Sequence, residues 1–75
     1  METSLSMLRM GKDAKIKYLL GGMGLQRKIR ALGIRIGKTV RVVSYQPFRG
    51  PVIVEVDGMR IAIGRGMASQ IIVEE

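Results

Sequence analysis

Few side chains of this 75-residue chain could perform catalysis. The sequence contains no Cys and no His, which excludes a thiol-redox site, a His-based triad and the usual zinc sites. Among the six acids, Glu55 and Asp57 lie on one predicted strand, whose outer face we expect to be in solvent. Glu74 and Glu75 end the chain. The sequence therefore predicts a protein with no catalytic activity, no resident metal and no cofactor.

Two glycine-containing segments resemble phosphate-binding loops but fit them poorly. Residues 33–39, GIRIGKT, have their two glycines one position too close for a P-loop. A helical segment precedes them and a strand-like segment follows, which reverses the order that a P-loop requires. Residues 21–24, GGMG, precede a predicted helix and could bind an anion through backbone N–H groups. A turn between strand and helix explains them better.

The basic residues carry the strongest functional signal. Thirteen Lys and Arg residues against six Asp and Glu residues give a net charge of +7. Between Arg9 and Arg49, eleven basic residues accompany a single acid, Asp13. Such a charge distribution favours a polyanionic partner, which could be an acidic protein face, a nucleic acid or an anionic membrane surface.

Within this basic region, one cluster stands out. Arg27, Lys28 and Arg30 lie on a predicted short helix that has no acid three or four positions away. Phe48, at the tip of a turn flanked by prolines, is a second candidate contact; its ring could be an exposed anchor or could fold back onto the protein. The candidate partner-binding residues are Arg27, Lys28, Arg30, Arg35, Phe48 and Arg49.

The amino-terminal half predicts one strand followed by one helix. Residues 14–20 alternate in polarity, so Ala14, Ile16, Tyr18 and Leu20 are expected on the buried face of a strand. A helix follows, because Leu25, Ile29 and Leu32 are spaced to form one apolar stripe. Gly33 stands where a left-handed residue would end this helix. The methionines expected to fill the core and the turns are Met7, Met10, Met59 and Met67.

Four more strands are predicted after the helix. Asp57-Gly58 is a strong signal for a two-residue hairpin between the third and fourth of the five strands. A sheet this small must protect its edges, and closure into a barrel does so. We therefore expect a mainly β, SH3-like barrel of about five strands, with one short α-helix between the first and second strands. The later strands are residues 39–45, 52–56, 59–63 and 71–74.

The chain is expected to form a single domain over residues 1–75, with residues 1–4 disordered. Exposed sheet edges near the short fifth strand could pair between copies and give a weak homo-oligomer. No uninterrupted apolar run exceeds three residues, and no apolar segment typical of a signal peptide follows Met1. These features favour a soluble cytoplasmic protein, which its cations could hold at the inner face of the plasma membrane.

The sequence contains the motifs GG at 21–22, LQRKIRALGI at 25–34, YQP at 45–47, GP at 50–51, VEVDG at 54–58 and IAIGRGMA at 61–68. Taken together, these motifs resemble those of the ferrous iron transport protein A (FeoA) family. The similarity covers residues 5–74. This sequence has Met10 and Ile36 where family members often have Pro before a turn glycine, and the tip formed by Phe48 and Arg49 is bulkier and more basic than usual.

The resemblance implies an SH3-like barrel in the bacterial cytoplasm with a non-catalytic, accessory or regulatory role in ferrous iron uptake. The implied partner is the membrane permease FeoB, with its cytoplasmic GTPase region. A protein without His or Cys is poorly equipped to carry iron, so we expect it to act by protein contact. Arg27, Lys28 and Arg30 would meet an acidic cytoplasmic face, and the Phe48–Arg49 turn would supply a second contact.

The alternative is a small basic barrel that binds nucleic acid, which the charge alone would allow. Proteins that bind single strands usually stack bases on several aromatic rings. This chain offers only Tyr18, Tyr45 and Phe48, and Tyr18 is expected to point inward. Nucleic acid is therefore the less favoured partner.

Overall fold

A computed structural model describes residues 1–75 and contains six strands, two α-helices and one 3₁₀ turn. The elements alternate short strands with tight turns, as the sequence predicts, and a helix lies between two of the strands. In chain order they are β1 (Glu2–Ser4), the 3₁₀ turn (Leu5–Met7), β2 (Asp13–Leu19), α1 (Met23–Ala31), β3 (Thr39–Tyr45), β4 (Val52–Val56), β5 (Met59–Ile63), α2 (Arg65–Ala68) and β6 (Ile71–Glu74).

The six strands form one antiparallel sheet in the order β1-β6-β2-β3-β4-β5. The Cα atoms span 29 × 24 × 23 Å, and sixteen buried apolar residues form a single core. The buried residues come from five of the six strands and from both helices, so the strands enclose one shared core. The mainly β, SH3-like architecture is confirmed, with six strands where five were predicted.

The additional strand is β1, which falls within the residues 1–4 expected to be disordered. It pairs with β6 through the register Glu2↔Glu74, Thr3↔Val73 and Ser4↔Ile72. Two further contacts hold it, because the amino terminus forms an ion pair with Glu74 and the Tyr18 hydroxyl donates to a Glu2 carboxylate oxygen. A three-residue strand is too short to show an alternation that a sequence could reveal.

In β2 the predicted alternation holds at first and then fails. Ala14 and Ile16 are buried as expected. The ladder with β6 then shifts register between Ile16 and Tyr18, which is a β-bulge. A bulge adds one residue and moves the following side chains to the other face. Tyr18 and Leu20, predicted to be buried, are therefore exposed, and Leu19 is buried instead.

Helix α1 packs onto the core through Leu25 and Ile29, and Gly33 (φ +90°) follows it in the predicted left-handed conformation. Leu32 is one residue beyond the helix and 39% exposed, so the predicted apolar stripe is shorter than expected. Asp57 and Gly58 both have positive φ, as a type I′ hairpin requires. Neither helix is long and apolar enough to cross a membrane.

Two further expectations are corrected. Met7, Met10 and Met59 are exposed rather than core residues, and only Met67 packs against the core. The fifth predicted strand is β6, which is paired on both sides by β1 and β2. The edges of the sheet are therefore β1 and β5, and not the strand where an exposed edge was expected.

Candidate functional site

All three candidate cations of α1 are exposed: Arg27 lies opposite the buried face of the helix, and Lys28 and Arg30 lie on its two flanks. Leu25 and Ile29 fix the helix to the sheet, which leaves Arg27, Lys28 and Arg30 exposed. The helix has no acid in its first turn, and Lys28 and Arg30 lie in its last turn. Basic side chains near a helix carboxyl terminus interact favourably with the helix dipole. The fold therefore tolerates this concentration of charge.

None of these cations has a carboxylate partner. The acids pair elsewhere: Asp13 with Arg41 and Asp57 with Lys38, both at 2.8 Å, Glu55 with Arg60 at 3.9 Å, Glu75 with Arg9 at 3.7 Å and Glu74 with the amino terminus. The sixth acid, Glu2, accepts a hydrogen bond from Tyr18. Every carboxylate side chain is thus engaged. The nine basic side chains without a carboxylate within 4 Å are Lys12, Lys15, Lys17, Arg27, Lys28, Arg30, Arg35, Arg49 and Arg65.

An exposed methionine, which the sequence analysis missed, completes this face. Met23 is 75% exposed and lies four residues before Arg27 and seven before Arg30. Residues with this spacing share one side of a helix. The signal was present in the sequence, but Met23 was assigned to a glycine-rich turn instead. We define Met23, Arg27, Lys28 and Arg30 as the basic helix surface.

Arg35 lies close to this surface but not on the helix. It follows the left-handed Gly33, is exposed and has no carboxylate partner. It lies four positions after Ala31, the last residue of α1, so their Cα atoms lie within about 14 Å. Ile36, beside it, is also exposed although apolar. The connection between α1 and β3 therefore presents one further cation without a carboxylate partner, beside an exposed apolar side chain.

The turn between β3 and β4 presents Phe48 completely to solvent. The sequence left open whether the ring is exposed or folds back onto the protein. In the structure it is 100% exposed. Phe48 and Arg49 both adopt left-handed φ angles, 57° and 58°. Bulky residues rarely adopt this conformation. The turn is closed by hydrogen bonds from Gln46 N–H to Pro51 O and from Gly50 N–H to Pro47 O.

The structure does not bring the six candidate residues together. Helix α1 and Arg35 precede β3, and the turn with Phe48 and Arg49 follows it. The seven residues of β3 span about 20 Å. The predicted residues therefore form two separate groups, one before β3 and one after it.

A shallow groove of about 340 Å³ lies next to the Phe48 turn. The Tyr45 ring forms part of it, and its hydroxyl donates to the carbonyl oxygen of Leu8, with that of Leu5 at 3.3 Å. The Arg65 guanidinium lies 5.5 Å from the ring centroid, and its Nε donates to Gly50 O at 3.3 Å. Burial raises the pKa of the Tyr45 hydroxyl. These contacts hold the base of the turn in place.

The positions of the three aromatic residues do not favour nucleic acid binding. Tyr45 is held by its hydroxyl and covered by Arg65, Tyr18 is bonded to Glu2 on another strand, and only Phe48 presents a free ring. A stacking platform needs several rings side by side. The aromatic residues of this chain are dispersed instead.

The glycine segments have structural roles. In residues 33–39, the N–H groups of Gly33, Gly37 and Lys38 donate to Arg30 O, Ile16 O and Arg35 O. The segment leads into β3 and not into a helix, so it lacks the architecture of a P-loop. In residues 21–24, Gly22 is the residue that precedes α1, which fits a turn between strand and helix.

Comparisons with known proteins agree with this architecture. The sequence matches the family described as the FeoA domain over residues 3–75. It is 37% identical over 71 residues to a Methanocaldococcus jannaschii protein described as Fe(2+) transport protein A, which covers 95% of this chain and 84% of that protein.

Solved structures show the same fold. The crystal structure of an iron uptake regulatory protein (FeoA) has a TM-score of 0.91 at 34% identity, covering 99% of this chain and 97% of that one. Iron(II) transport protein A from Clostridium thermocellum has a TM-score of 0.90 at 28% identity, covering 96% of this chain and 44% of that one. A manganese-dependent transcriptional repressor, 21% identical, shares the fold with a TM-score of 0.89 over 99% of this chain and 41% of its own. On the family match and the level of identity, this chain belongs to the FeoA domain family.

Proposed function

We propose that this protein is a non-catalytic accessory protein of ferrous iron uptake that acts by binding the cytoplasmic GTPase region of a FeoB-type permease. Family membership supports the connection with iron, since relatives are described as an Fe(2+) transport protein A and an iron uptake regulatory protein. The observation that carries the docking mechanism is the basic helix surface, whose cations have no carboxylate partner.

The charge arrangement supports recognition of an acidic protein face. Arg27, Lys28 and Arg30 are held on a rigid element by the buried Ile29, so their positions are fixed before the partner arrives. Opposed potentials steer such encounters and favour the correct partner. Because no acid of this chain competes for these side chains, an acidic partner face meets them without first breaking an internal ion pair.

Phe48 and Arg49 supply a second contact in this proposal. A fully exposed aromatic ring on a short turn can insert into an apolar pocket of a partner, and such anchors contribute strongly to binding. Because the two contacts lie at opposite ends of β3, the partner must either reach about 20 Å across the barrel or bind with two of its own elements.

The net positive charge of the protein would also hold it near the inner face of the plasma membrane. Each basic residue near an anionic headgroup surface contributes about 1 kcal/mol. This contribution falls with ionic strength and does not depend on the permease. Vesicles with and without anionic lipid separate the two effects, because only the lipid contribution disappears with neutral vesicles.

A pair of matched charge reversals tests the proposal. The first variant changes Arg27, Lys28 and Arg30 to Glu. The control changes Lys12, Lys15 and Lys17 to Glu and so alters the net charge equally. These three lysines are also exposed and have no carboxylate partner. We expect the first variant to weaken binding to the purified cytoplasmic region of the permease by at least roughly tenfold, and the control to weaken it much less.

Three outcomes would count against this mechanism. Equal binding by the wild type and the helix variant would remove the basic helix surface from it. Equal losses in both variants would mean that only net charge matters. Tight binding of the wild type to random RNA at physiological salt, with none to the permease, would support the nucleic acid alternative.

A further inference from the structure

Strand β5 is an open edge of the sheet. It is hydrogen-bonded to β4 alone, in a register that continues without interruption along all five of its residues. Residues flanking a two-residue hairpin exchange hydrogen bonds, and bonded and non-bonded positions then alternate. Met59, Ile61 and Ile63 therefore bond to β4, whereas the N–H and C=O groups of Arg60 and Ala62 face away. No turn or loop hydrogen bond reaches residues 59–63.

The two edges of the sheet differ in how well they resist pairing. Strand β1 has three residues and carries the charged amino terminus and Glu2 at its start. Strand β5 has five residues, no Pro, no bulge and no charge on its core-facing side. Short length, charge, Pro and bulges are the usual means of blocking an edge strand. Only β1 uses them.

The core is also incompletely covered at this edge. Met59, Ile61 and Ile63 occupy the core-facing side of β5, but only Ile63 is buried. Met59 is 66% exposed and Ile61 is half-buried. A further strand beside β5 would cover both side chains and pair the open backbone groups at the same time.

We propose that β5 pairs with β5 of a second copy, antiparallel about a two-fold axis at Ile61. Arg60 of each copy then exchanges two hydrogen bonds with Ala62 of the other, giving four in all. On the core-facing side, Met59 lies opposite Ile63 of the other copy, and the two Ile61 side chains meet. Two-fold symmetry produces such self-complementary interfaces.

The side chains explain why a second copy fits this edge. On the outer face, the pairing sets each arginine opposite a small alanine, so no like charges lie directly across from one another. A register shifted to place Arg60 opposite Arg60 would lose this advantage. Arg60 also keeps its neighbour Glu55 on the same face, which offsets part of its charge. Since each copy carries a net charge of +7, pairing should tighten as salt is added.

A proline substitution at the edge tests this proposal. Ala62→Pro removes an N–H that faces away from β4, a position where an edge strand tolerates Pro. Ala62→Ser keeps the N–H and is the control. In sedimentation equilibrium the wild type and Ala62→Ser should form dimers, and Ala62→Pro should dissociate roughly thirtyfold more readily or remain monomeric, because two of the four hydrogen bonds are lost. A monomeric wild type at every concentration would overturn the proposal, as would equal dimerisation of all three proteins.

Amide hydrogen exchange tests the same proposal with the wild-type protein alone, so its interpretation does not depend on a variant. The amides of Arg60 and Ala62 should gain protection as concentration rises, whereas those of Met59, Ile61 and Ile63 should be protected throughout. A dimer in which the Arg60 and Ala62 amides still exchange rapidly would show that the copies meet elsewhere. This result would overturn the proposal even if Ala62→Pro failed to fold.

Discussion

The two ends of β3 carry different kinds of recognition feature. At the end next to α1, exposed cations without carboxylate partners are held by a buried isoleucine. At the other end, one aromatic ring is held in solvent by two consecutive left-handed residues. The first feature acts over a Debye length and weakens with salt, whereas the second acts only on contact. The small barrel therefore offers long-range attraction and a short-range anchor at separate places.

The two ends also depend on different parts of the structure. Helix α1 is positioned by burial of Leu25 and Ile29 in the core. The Phe48 turn is positioned by backbone hydrogen bonds and by Arg65, whose guanidinium bonds Gly50 O. Core substitutions should therefore affect the helix end most, and backbone substitutions should affect the turn.

The largest effect is expected at Ile29, which is completely buried beneath α1. Ile29→Ala removes buried methyl groups and leaves a cavity, so the free energy of unfolding should fall by about 2–5 kcal/mol. Leu32→Ala is the control, because that side chain is 39% exposed and should cost about 1 kcal/mol or less. Urea denaturation measures both. Similar losses for the two variants would mean that α1 is not held chiefly by Ile29.

Phe48→Ala should weaken the proposed binding to the permease by about 1–2 kcal/mol without changing stability, because the ring touches nothing in the free protein. Its effect should be the same at low and high salt. The triple Glu variant of α1 should instead lose much of the salt dependence of binding, since fewer opposite charges meet. Titration calorimetry at several salt concentrations separates the two behaviours, and a salt-dependent effect of Phe48→Ala would contradict the distinction.

The same glycine substitution should have opposite effects at the two ends. Phe48→Gly removes the free-energy penalty of a left-handed conformation, which is about 1–2 kcal/mol. Part of this gain is offset, because glycine makes the unfolded chain more flexible and so raises its entropy. We expect a net gain in stability of about 0.5–1 kcal/mol. Arg27→Gly lies within α1 and should cost about 1 kcal/mol. Thermal unfolding of both variants decides the matter, and a loss at position 48 would mean that the turn is not strained.

The smallest effect concerns the Asp13–Arg41 pair on β2 and β3. The guanidinium of Arg41 lowers the pKa of the Asp13 carboxyl in the folded protein. Its contribution to stability is therefore complete above the ordinary Asp pKa of about 3.9, and it is lost as pH falls through the lower folded-state value. Asp13→Asn and Arg41→Gln should each flatten the acid limb of a plot of stability against pH. An unchanged acid limb would show that the pair contributes nothing.

Sequence patterns predicted the parts of this fold that repeat. Val52, Val54 and Val56 alternate over a whole strand, and Asp57-Gly58 has the chemistry of one turn type, so both were assigned correctly. The bulge in β2 was missed, because nothing in the types of Lys17 and Tyr18 marks an inserted residue. Strand β1 was missed because its pairing depends on β6, which lies about 70 residues further along the chain.

For the candidate functional residues, too, the sequence predicted some features and could not predict others. Exposure of the α1 cations followed from helical spacing, but their lack of carboxylate partners depends on where all six acids lie in space. The sequence offered two positions for Phe48 and could not choose between them, because the choice rests on two backbone angles. The distance between the two groups depends on the length of β3 and on the turn beyond it, which only the structure shows.

The central claim, that the basic helix surface docks on the permease, is tested most directly by mapping the contact on the protein itself. The isotopically labelled chain is titrated with the unlabelled cytoplasmic region of the permease, and amide signals are followed by NMR. The account predicts the largest changes at residues 23–31 and 35, with a second, smaller set at residues 47–50. Changes confined to other surfaces, with the amides of α1 unaffected at saturation, would contradict it.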